Sequence, residues 1–369
     1  MATATLSVKS CIQCGRCSGG CPVSIKSNLN VRRLVYYSSN DMLGTIDADE
    51  LGLWECTTCT TCSERCPKNV QPAEIITELR SRVIESGRMS PQIQAALEST
   101  YVQGNPWGRA REKRMEWAAD LDLPAVEAGA KIDTLLFVCC TAAYDQRCQP
   151  VARALVKLLR AAGVDFGVIG EAETCCSSEQ RKMGELGMFD ELAQGNAKVI
   201  MERHPKRVVV LSPHCFNTFK KDYAGLDVPI VHHTQLLAEL LAAGKLKVKT
   251  PLEEVVTYHD PCYLGKQNKV YEEPRDVLKA LAGDRFVELD RSRETSLCCE
   301  GGGGRMWVES AGKGRLGETR VLDSIDVGAS ILATACPFCI LTLEDAVKTT
   351  NSDSRIRIKD IAELLADSL

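Results

Sequence analysis

No run of apolar residues approaches the roughly eighteen that a membrane-spanning helix needs, so membrane contact is expected only through a partner. The opening residues MATATLSVKS contain no apolar stretch of signal-peptide type, so a cytoplasmic chain with reduced thiols is expected. A dense basic stripe is also missing. The net charge is −4, and the short GRAREKR segment around Arg109 to Arg114 reads as a solvated face, so nucleic acid is not the expected partner. Nucleotide and flavin fingerprints are absent too; the EGGGGR stretch lacks the Lys-Ser/Thr ending of a phosphate loop. Size is not lacking. With 369 residues the chain can bury several cores without disulfide staples, which leaves its nineteen cysteines free for other work.

Eight of them form two runs. CIQCGRCSGGCP places Cys11, Cys14, Cys17 and Cys21 before Pro22, and CTTCTTCSERCP places Cys56, Cys59, Cys62 and Cys66 before Pro67. Each is C-x2-C-x2-C-x3-C-P, the spacing in which three thiolates hold one [4Fe–4S] cluster and the fourth reaches its neighbour. Cys11, Cys14, Cys17 and Cys66 are therefore expected to bind one cubane cluster, and Cys56, Cys59, Cys62 and Cys21 a second. Zinc sites more often show two separated cysteine pairs or histidine partners. The stretch PAEIITELRSRVIESG spaces Ile75, Ile76, Leu79 and Val83 along one helical face, so a helical ferredoxin module is expected over 1–87, with Gly87 as a helix stop. A polar, helix-prone connector follows over 88–130, with Trp107 and Trp117 as its anchors.

The rest is duplicated. TLLFVCC, TCCSSE and VVVLSPHCF recur as EVVTYHDPC, LCCEGGGG and ILATACPFC, with offsets of 122 from Cys140 to Cys262, 123 from Cys175 to Cys298 and 124 from Cys215 to Cys339. Two copies of one domain are expected, over 131–250 and 251–369. Alternating apolar runs and amphipathic stretches read as mainly parallel sheets with covering helices, whose strand ends converge on a crevice. The second copy gathers Cys262, Cys298, Cys299, Cys336 and Cys339, one more thiol than a cubane cluster needs. Either one is a spare thiol or the cluster is unusual. Adjacent residues such as Cys298 and Cys299 most naturally contact different irons or share a bridging position.

The C-x35-CC-x36-C-P-F-C pattern resembles the CCG domain of the cysteine-rich (subunit-B-type) heterodisulfide reductase polypeptides, and the N-terminal module resembles their ferredoxin-like (subunit-C-type) partners. Together they are similar to the fused, subunit-D-type chain of membrane-linked heterodisulfide reductases and related iron–sulfur oxidoreductases of anaerobes. The resemblance implies an α-helical ferredoxin-type module followed by two pseudo-symmetric α/β CCG domains. It also implies a noncubane [4Fe–4S] cluster on the five cysteines, which reduces a disulfide or related sulfur substrate, or oxidises thiols. Electrons would pass through the two cubane clusters, exchanged with a subunit-A-like or electron-transferring flavoprotein. A membrane cytochrome or quinone subunit is a further partner in that reading. The alternative is an electron-transfer adaptor with no small-molecule reaction of its own.

The first copy departs from the pattern. Ser212 stands where the second copy has Cys336, leaving Cys140, Cys175, Cys176 and Cys215 for a further [4Fe–4S] cluster. Cys139 and Cys148 read as ordinary buried thiols. Gly301, Gly302 and Gly303 let backbone approach the cluster, where N–H groups can donate to sulfur. Ser177 and Glu300 replace the glycine that follows each cysteine pair; Glu300, like His259 and Asp260, is a candidate proton donor. His214 lies close to the first site, His232 and His233 mark a strand end before a helix, and His204 reads as a surface residue.

Overall fold

The computed structural model describes residues 8–40, 42, 51–308 and 314–369; the reading of the first seven residues lies outside that range. In the N-terminal module both cysteine runs turn by the same device. Gln13 and Gly15 in one run, and Thr58 and Thr60 in the other, take left-handed backbone at the same two places (φ between +51° and +79°). Each run then enters a one-turn helix, Arg16–Gly19 or Thr61–Glu64. Two longer helices pack behind them. Val31–Ser39 starts at Asn30, whose side chain accepts from Arg33 N, and Pro72–Glu85 starts with proline in its first turn, where no N–H is needed. Ile75, Ile76, Leu79 and Val83 are buried against Val31, Leu34 and Val35. The chain then leaves the helix through Gly87 at φ +72°.

The connector contains the helix Pro91–Gln103, capped by Ser90 and closed by Gly104 in left-handed conformation. Trp107 meets Trp307 and Phe338 of the last domain at centroid distances of 5.7 and 6.0 Å, and Trp117 is buried in the main core. Ala125 bridges to Val168 and so joins the end of the connector to the first sheet.

Two parallel sheets follow. Strands β1 (Thr134–Phe137), β2 (Phe166–Val168), β3 (Arg207–Val210) and β4 (Ile230–His232) lie in the order β2-β1-β3-β4. Strands β5 (Val256–Tyr258), β6 (Ile331–Thr334) and β7 (Arg357–Asp360) lie in the order β5-β6-β7. The place of β2 in the second sheet is held by a single bridge between Val256 and Phe286. Continuous burial along β1, β5 and β6 is what strands covered on both faces require. The copies interlock reciprocally: the last helix, Ile361–Asp367, packs on Gln149–Ala161 of the first copy, while His233–Ala242 packs on Glu272–Ala282 of the second. His233 and Asp360, both fully buried, meet across this contact at 3.2 Å.

One side chain joins all three parts. Arg80, on the Pro72–Glu85 helix, is fully buried and donates to the carbonyls of Leu53 (2.9 and 3.2 Å), Cys56 (2.7 Å), Lys182 (2.9 Å) and Gly303 (2.9 Å), with Trp54 lying 5.0 Å from its guanidinium. Arg80→Ala should strand these carbonyls in the interior and cost on the order of 4 kcal/mol. Arg80→Lys, with a donor group that cannot fork to all four, should recover less than half. The denaturant midpoints of the three proteins measure this, and an alanine variant within about 1 kcal/mol of wild type would remove Arg80 from the role.

Candidate metal centres

The two ferredoxin-type runs line two separate pockets. One is lined by Cys11, Cys14, Cys17 and Cys66; the other by Cys21, Cys56, Cys59 and Cys62. The pockets thus draw the fourth cysteine of each run to the other, the same grouping that the spacing suggests. They differ in depth. Cys14 is exposed and Cys11, Cys17 and Cys66 half-buried, whereas all four thiols of the second pocket are buried. Burial, then the neighbouring Cys56, Cys59 and Cys21, pushes the Cys62 thiol well above its ordinary range; burial pushes Cys56 up to about 11. Cys59 moves the other way: burial opposes its ionisation, but Lys266 and the hydroxyl of Thr61 outweigh it.

In the second cysteine-rich copy the five thiols form a connected series at the strand ends. Cys262 meets Cys298, Cys298 its neighbour Cys299, Cys299 meets Cys339 at 3.2 Å, and Cys339 meets Cys336. Hydrogen bonds from Cys298 and Cys339 hold the Cys299 thiol well below its usual range, and His259 assists. His259, Cys299 and Cys339 place their ligand atoms within 4.8 Å of one another. Arg320 Nε donates to His259 Nδ1 at 3.4 Å, so the ring proton stays on Nε2, a buried atom with no oxygen or nitrogen partner among the described residues. Asp260, read as a proton donor alongside His259, is instead clamped by Arg275 through two hydrogen bonds of 2.7 and 2.9 Å. That bidentate pair turns both carboxylate oxygens toward Arg275.

The glycine run has a partner that spacing does not reveal. A Cβ on Gly303, which sits at φ +67°, would come within 2.6 Å of the Cys56 carbonyl, and one on Gly302 within 3.1 Å of the Thr57 carbonyl. Glycine here lets the cysteine-rich loop lie directly on the ferredoxin loop. Gly301 N donates to Cys299 Sγ at 3.5 Å and Glu300 N to Cys298 Sγ at 3.3 Å. Glu300 itself takes φ +73°, and its carboxylate accepts from Leu316 N at 2.9 Å, holding the start of the Leu316–Asp326 helix. Burial raises its pKa. Tyr263, beside Cys262, meets Thr58 of the ferredoxin loop at 2.6 Å; the Thr58 hydroxyl already donates to the Thr57 carbonyl, so Tyr263 is the donor.

In the first copy Cys140 lies 3.7 Å from Cys175, Cys175 touches Cys176, and Cys215 touches both Cys176 and Cys139. His214, placed by the sequence beside this site, reaches into the other one: it hydrogen-bonds Cys336, and its Nδ1 is 2.8 Å from Glu179 Oε1. Its ring stacks on Tyr263 at 4.1 Å. Glu179 Oε2 accepts from Gly304 N at 2.7 Å. Burial works against ionisation of Cys336, but hydrogen bonds from Cys339 and His214 prevail and bring its pKa down to about 6. Neither His214's target nor Glu179 was visible in the spacing; a histidine one residue before a cysteine in a duplicated motif was the available signal. Cys148 is buried with its thiol 3.7 Å from the Pro337 carbonyl, and His204 is exposed.

These donors suit iron–sulfur clusters. They are soft thiols in groups of four or five, and five of them accept from the N–H two residues on: Cys11 from Gln13, Cys56 from Thr58, Cys175 from Ser177, Cys298 from Glu300 and Cys299 from Gly301.

Comparison with known proteins agrees. The cysteine-rich domain family matches residues 134–220 and 256–344, and the 4Fe-4S dicluster domain family matches residues 7–70. A probable iron-sulfur-binding oxidoreductase, FadF, of Bacillus subtilis is 37% identical over 89% of this chain and 48% of its own length. The EtfAB:quinone oxidoreductase of Syntrophomonas wolfei is 30% identical, covering 98% of this chain and 58% of that protein. The chain thus spans about half to three-fifths of these relatives. The subunit-D polypeptide of the dihydromethanophenazine:CoB--CoM heterodisulfide reductase of Methanosarcina barkeri is 32% identical over 99% of this chain and 94% of that polypeptide. A hypothetical protein from Helicobacter pylori shares the fold alone, with a TM-score of 0.58 at 11% identity over 92% of this chain and 68% of that one.

Gly303→Ala should break the contact between the glycine run and Cys56 and destabilise the chain by about 2 kcal/mol. Hydrogen exchange in the Cys56–Cys62 loop should accelerate. Gly195→Ala, in an exposed helical position with open space around it, should instead stabilise by roughly 0.5–1 kcal/mol. Equal effects at the two sites would show that the close approach at Gly303 carries no weight.

Proposed function

Because the chain belongs to the family of the subunit-D-type heterodisulfide reductase polypeptides and related iron–sulfur oxidoreductases, we propose that it passes electrons through two cubane clusters to a noncubane site that reduces a disulfide. The observation that carries this reading is the five-thiol series of Cys262, Cys298, Cys299, Cys339 and Cys336, pressed onto the Cys56–Cys62 loop by the glycine run and Tyr263. The same proposal includes the division into 1–87, 88–130, 131–250 and 251–369.

The thiol sets order the path from outside inward. Cys14 is exposed, and Ile12 (59% exposed), Arg32 and Lys68 surround its pocket, a surface on which an electron-carrying flavoprotein can dock. The set of Cys21, Cys56, Cys59 and Cys62 lies beneath, and shares an apolar core with Cys262, Tyr263 and Cys298. Bound clusters supply single electrons and, at the last site, iron open to a sulfur ligand.

The chain's own groups then manage charge and protons. His259, its N–H held at Nε2 by Arg320, is placed to donate a hydrogen bond to a departing thiolate beside Cys299 and so stabilise its charge. His214 holds Cys336 as thiolate, and Arg80 and Lys266 sit as cations between the ferredoxin loop and the cysteine-rich copy. Glu300 is the proton source in this reading, its carboxyl pKa raised by burial. Cleavage of a disulfide consumes two electrons and two protons and yields two thiols.

A second reading is an adaptor that carries electrons between a flavoprotein and a membrane quinone or cytochrome partner. It is favoured by the exposed Cys14 and Ile12 surface and by the likeness to a protein named as an EtfAB:quinone oxidoreductase. No helix among the described residues is long and apolar enough to cross a membrane, so such a partner would supply the membrane contact.

Turnover of the anaerobically prepared, reduced chain with a panel of low-molecular-weight disulfides separates the two. We expect thiol release, and a roughly hundredfold slower rate in His259→Ala with unchanged reduction of the clusters by a flavoprotein. Inertness toward every disulfide, together with fast reduction by the flavoprotein, would leave the adaptor standing.

A further inference from the structure

The first copy is short of one cysteine, at Ser212, yet five thiols meet there. Cys140 is followed in contact by Cys175, Cys176, Cys215 and Cys139. In the second copy the series is Cys262, Cys298, Cys299, Cys339 and Cys336. The first four members correspond by the duplication, so Cys139 closes the first series where Cys336 closes the second.

Sheet register explains how a residue from a different strand can do this. Strands β1 and β3 pair Phe137 with Val210, and Leu211 N still donates to the Phe137 carbonyl beyond the last pair. Carried two residues further, the register sets Cys139 beside Ser212. Strands β5 and β6 pair Tyr258 with Ala333, and three residues further the register sets Pro261 beside Cys336. Pro261 is the duplication's counterpart of Cys139. At the same point in the two copies, then, one holds cysteine next to serine and the other proline next to cysteine. The thiol has changed strands.

The backbone at Cys139 is costly. It has φ +68° and ψ +153°, a region essentially reserved for glycine, and proline cannot enter it. Buried groups hold it there: Glu173, paired with the buried Arg114, accepts from the N–H groups of Val138 and Cys139 at 3.2 and 3.1 Å. Around the thiols, the hydroxyls of Ser177 and Ser178 and the Nε1 of Trp107 are buried without an oxygen or nitrogen partner among the described residues, and the Trp107 indole faces Cys140. Unpaired donors beside five thiols suit an anionic, sulfur-rich group.

We propose that Cys139 is a metal ligand that replaces the cysteine missing at Ser212, so that the first copy holds a five-thiolate iron–sulfur cluster of the same kind as the second. This rests on the iron–sulfur reading of the cysteine-rich copies. It would make both copies redox sites and give Cys139, read from the sequence as an ordinary buried thiol, a ligand role.

The test uses the full chain, prepared anaerobically, with iron, acid-labile sulfide and low-temperature electron paramagnetic resonance spectra as readouts. Cys139→Gly removes the thiol and suits the backbone, so the fold is retained. It should lose about four irons per chain or replace the spectral component of the first copy. The double variant Cys139→Gly, Ser212→Cys moves the thiol back to its usual strand and should restore wild-type iron and spectrum. Unchanged iron and spectrum in Cys139→Gly, or failure of Ser212→Cys to restore what was lost, would overturn the proposal. Cys175→Ser distinguishes its premise. A loss in Cys175→Ser without one in Cys139→Gly overturns the role of Cys139 alone, whereas no loss in either means that the first copy holds no cluster and overturns both.

Discussion

A buried guanidinium whose hydrogen-bond partners are all main-chain carbonyls governs how this molecule is assembled. Arg80 takes carbonyls from the ferredoxin loop, from the first cysteine-rich copy and from the glycine run of the second. Burial lowers its pKa, and negative charge at the nearby Cys56 acts in the opposite sense. A fully desolvated cation with dipoles for partners is costly unless negative charge lies close by. A cluster bound to Cys56 and its neighbours would provide that charge, so the electrostatics of the joint and of the adjacent centre depend on each other.

The same joint sets the contact between centres. Because Gly303 can lie on the Cys56 carbonyl, Tyr263 reaches Thr58 and the thiols of Cys262 and Cys298 enter the apolar core of the ferredoxin module. A side chain at that point would separate the two loops. The duplication contributes a second kind of coupling. His214 and Glu179 belong to the first copy but serve Cys336 and Gly304 of the second, while Arg147 of the first copy pairs with Glu344 and Glu363 of the second. The copies are therefore parts of one another's sites, which explains why a degenerate motif in the first copy need not be a relic.

Much of this was legible in the chain. Each C-x2-C-x2-C-x3-C-P run specifies a loop with two left-handed residues, and such a loop is a local object whose geometry follows from spacing. Ile75, Ile76, Leu79 and Val83 announced a buried helical face, and the steady offsets between copies announced two related α/β units. Other features were not. His214 stands next to Cys215 in sequence and serves Cys336, and the glycine run, read as room around a cluster, is in large part a docking surface for Cys56 and Thr57. Glu300 is tied to Leu316, sixteen residues on, and Asp260 to Arg275.

The sequence by itself determined the chemistry of the donors, the order of the modules and the ferredoxin loops, because thiol type and short-range spacing are covalent facts. Only the tertiary structure decided which thiols meet across strands and which copy a histidine serves. Those outcomes depend on strand register and on the packing of one copy against the other, where residues more than a hundred positions apart become neighbours.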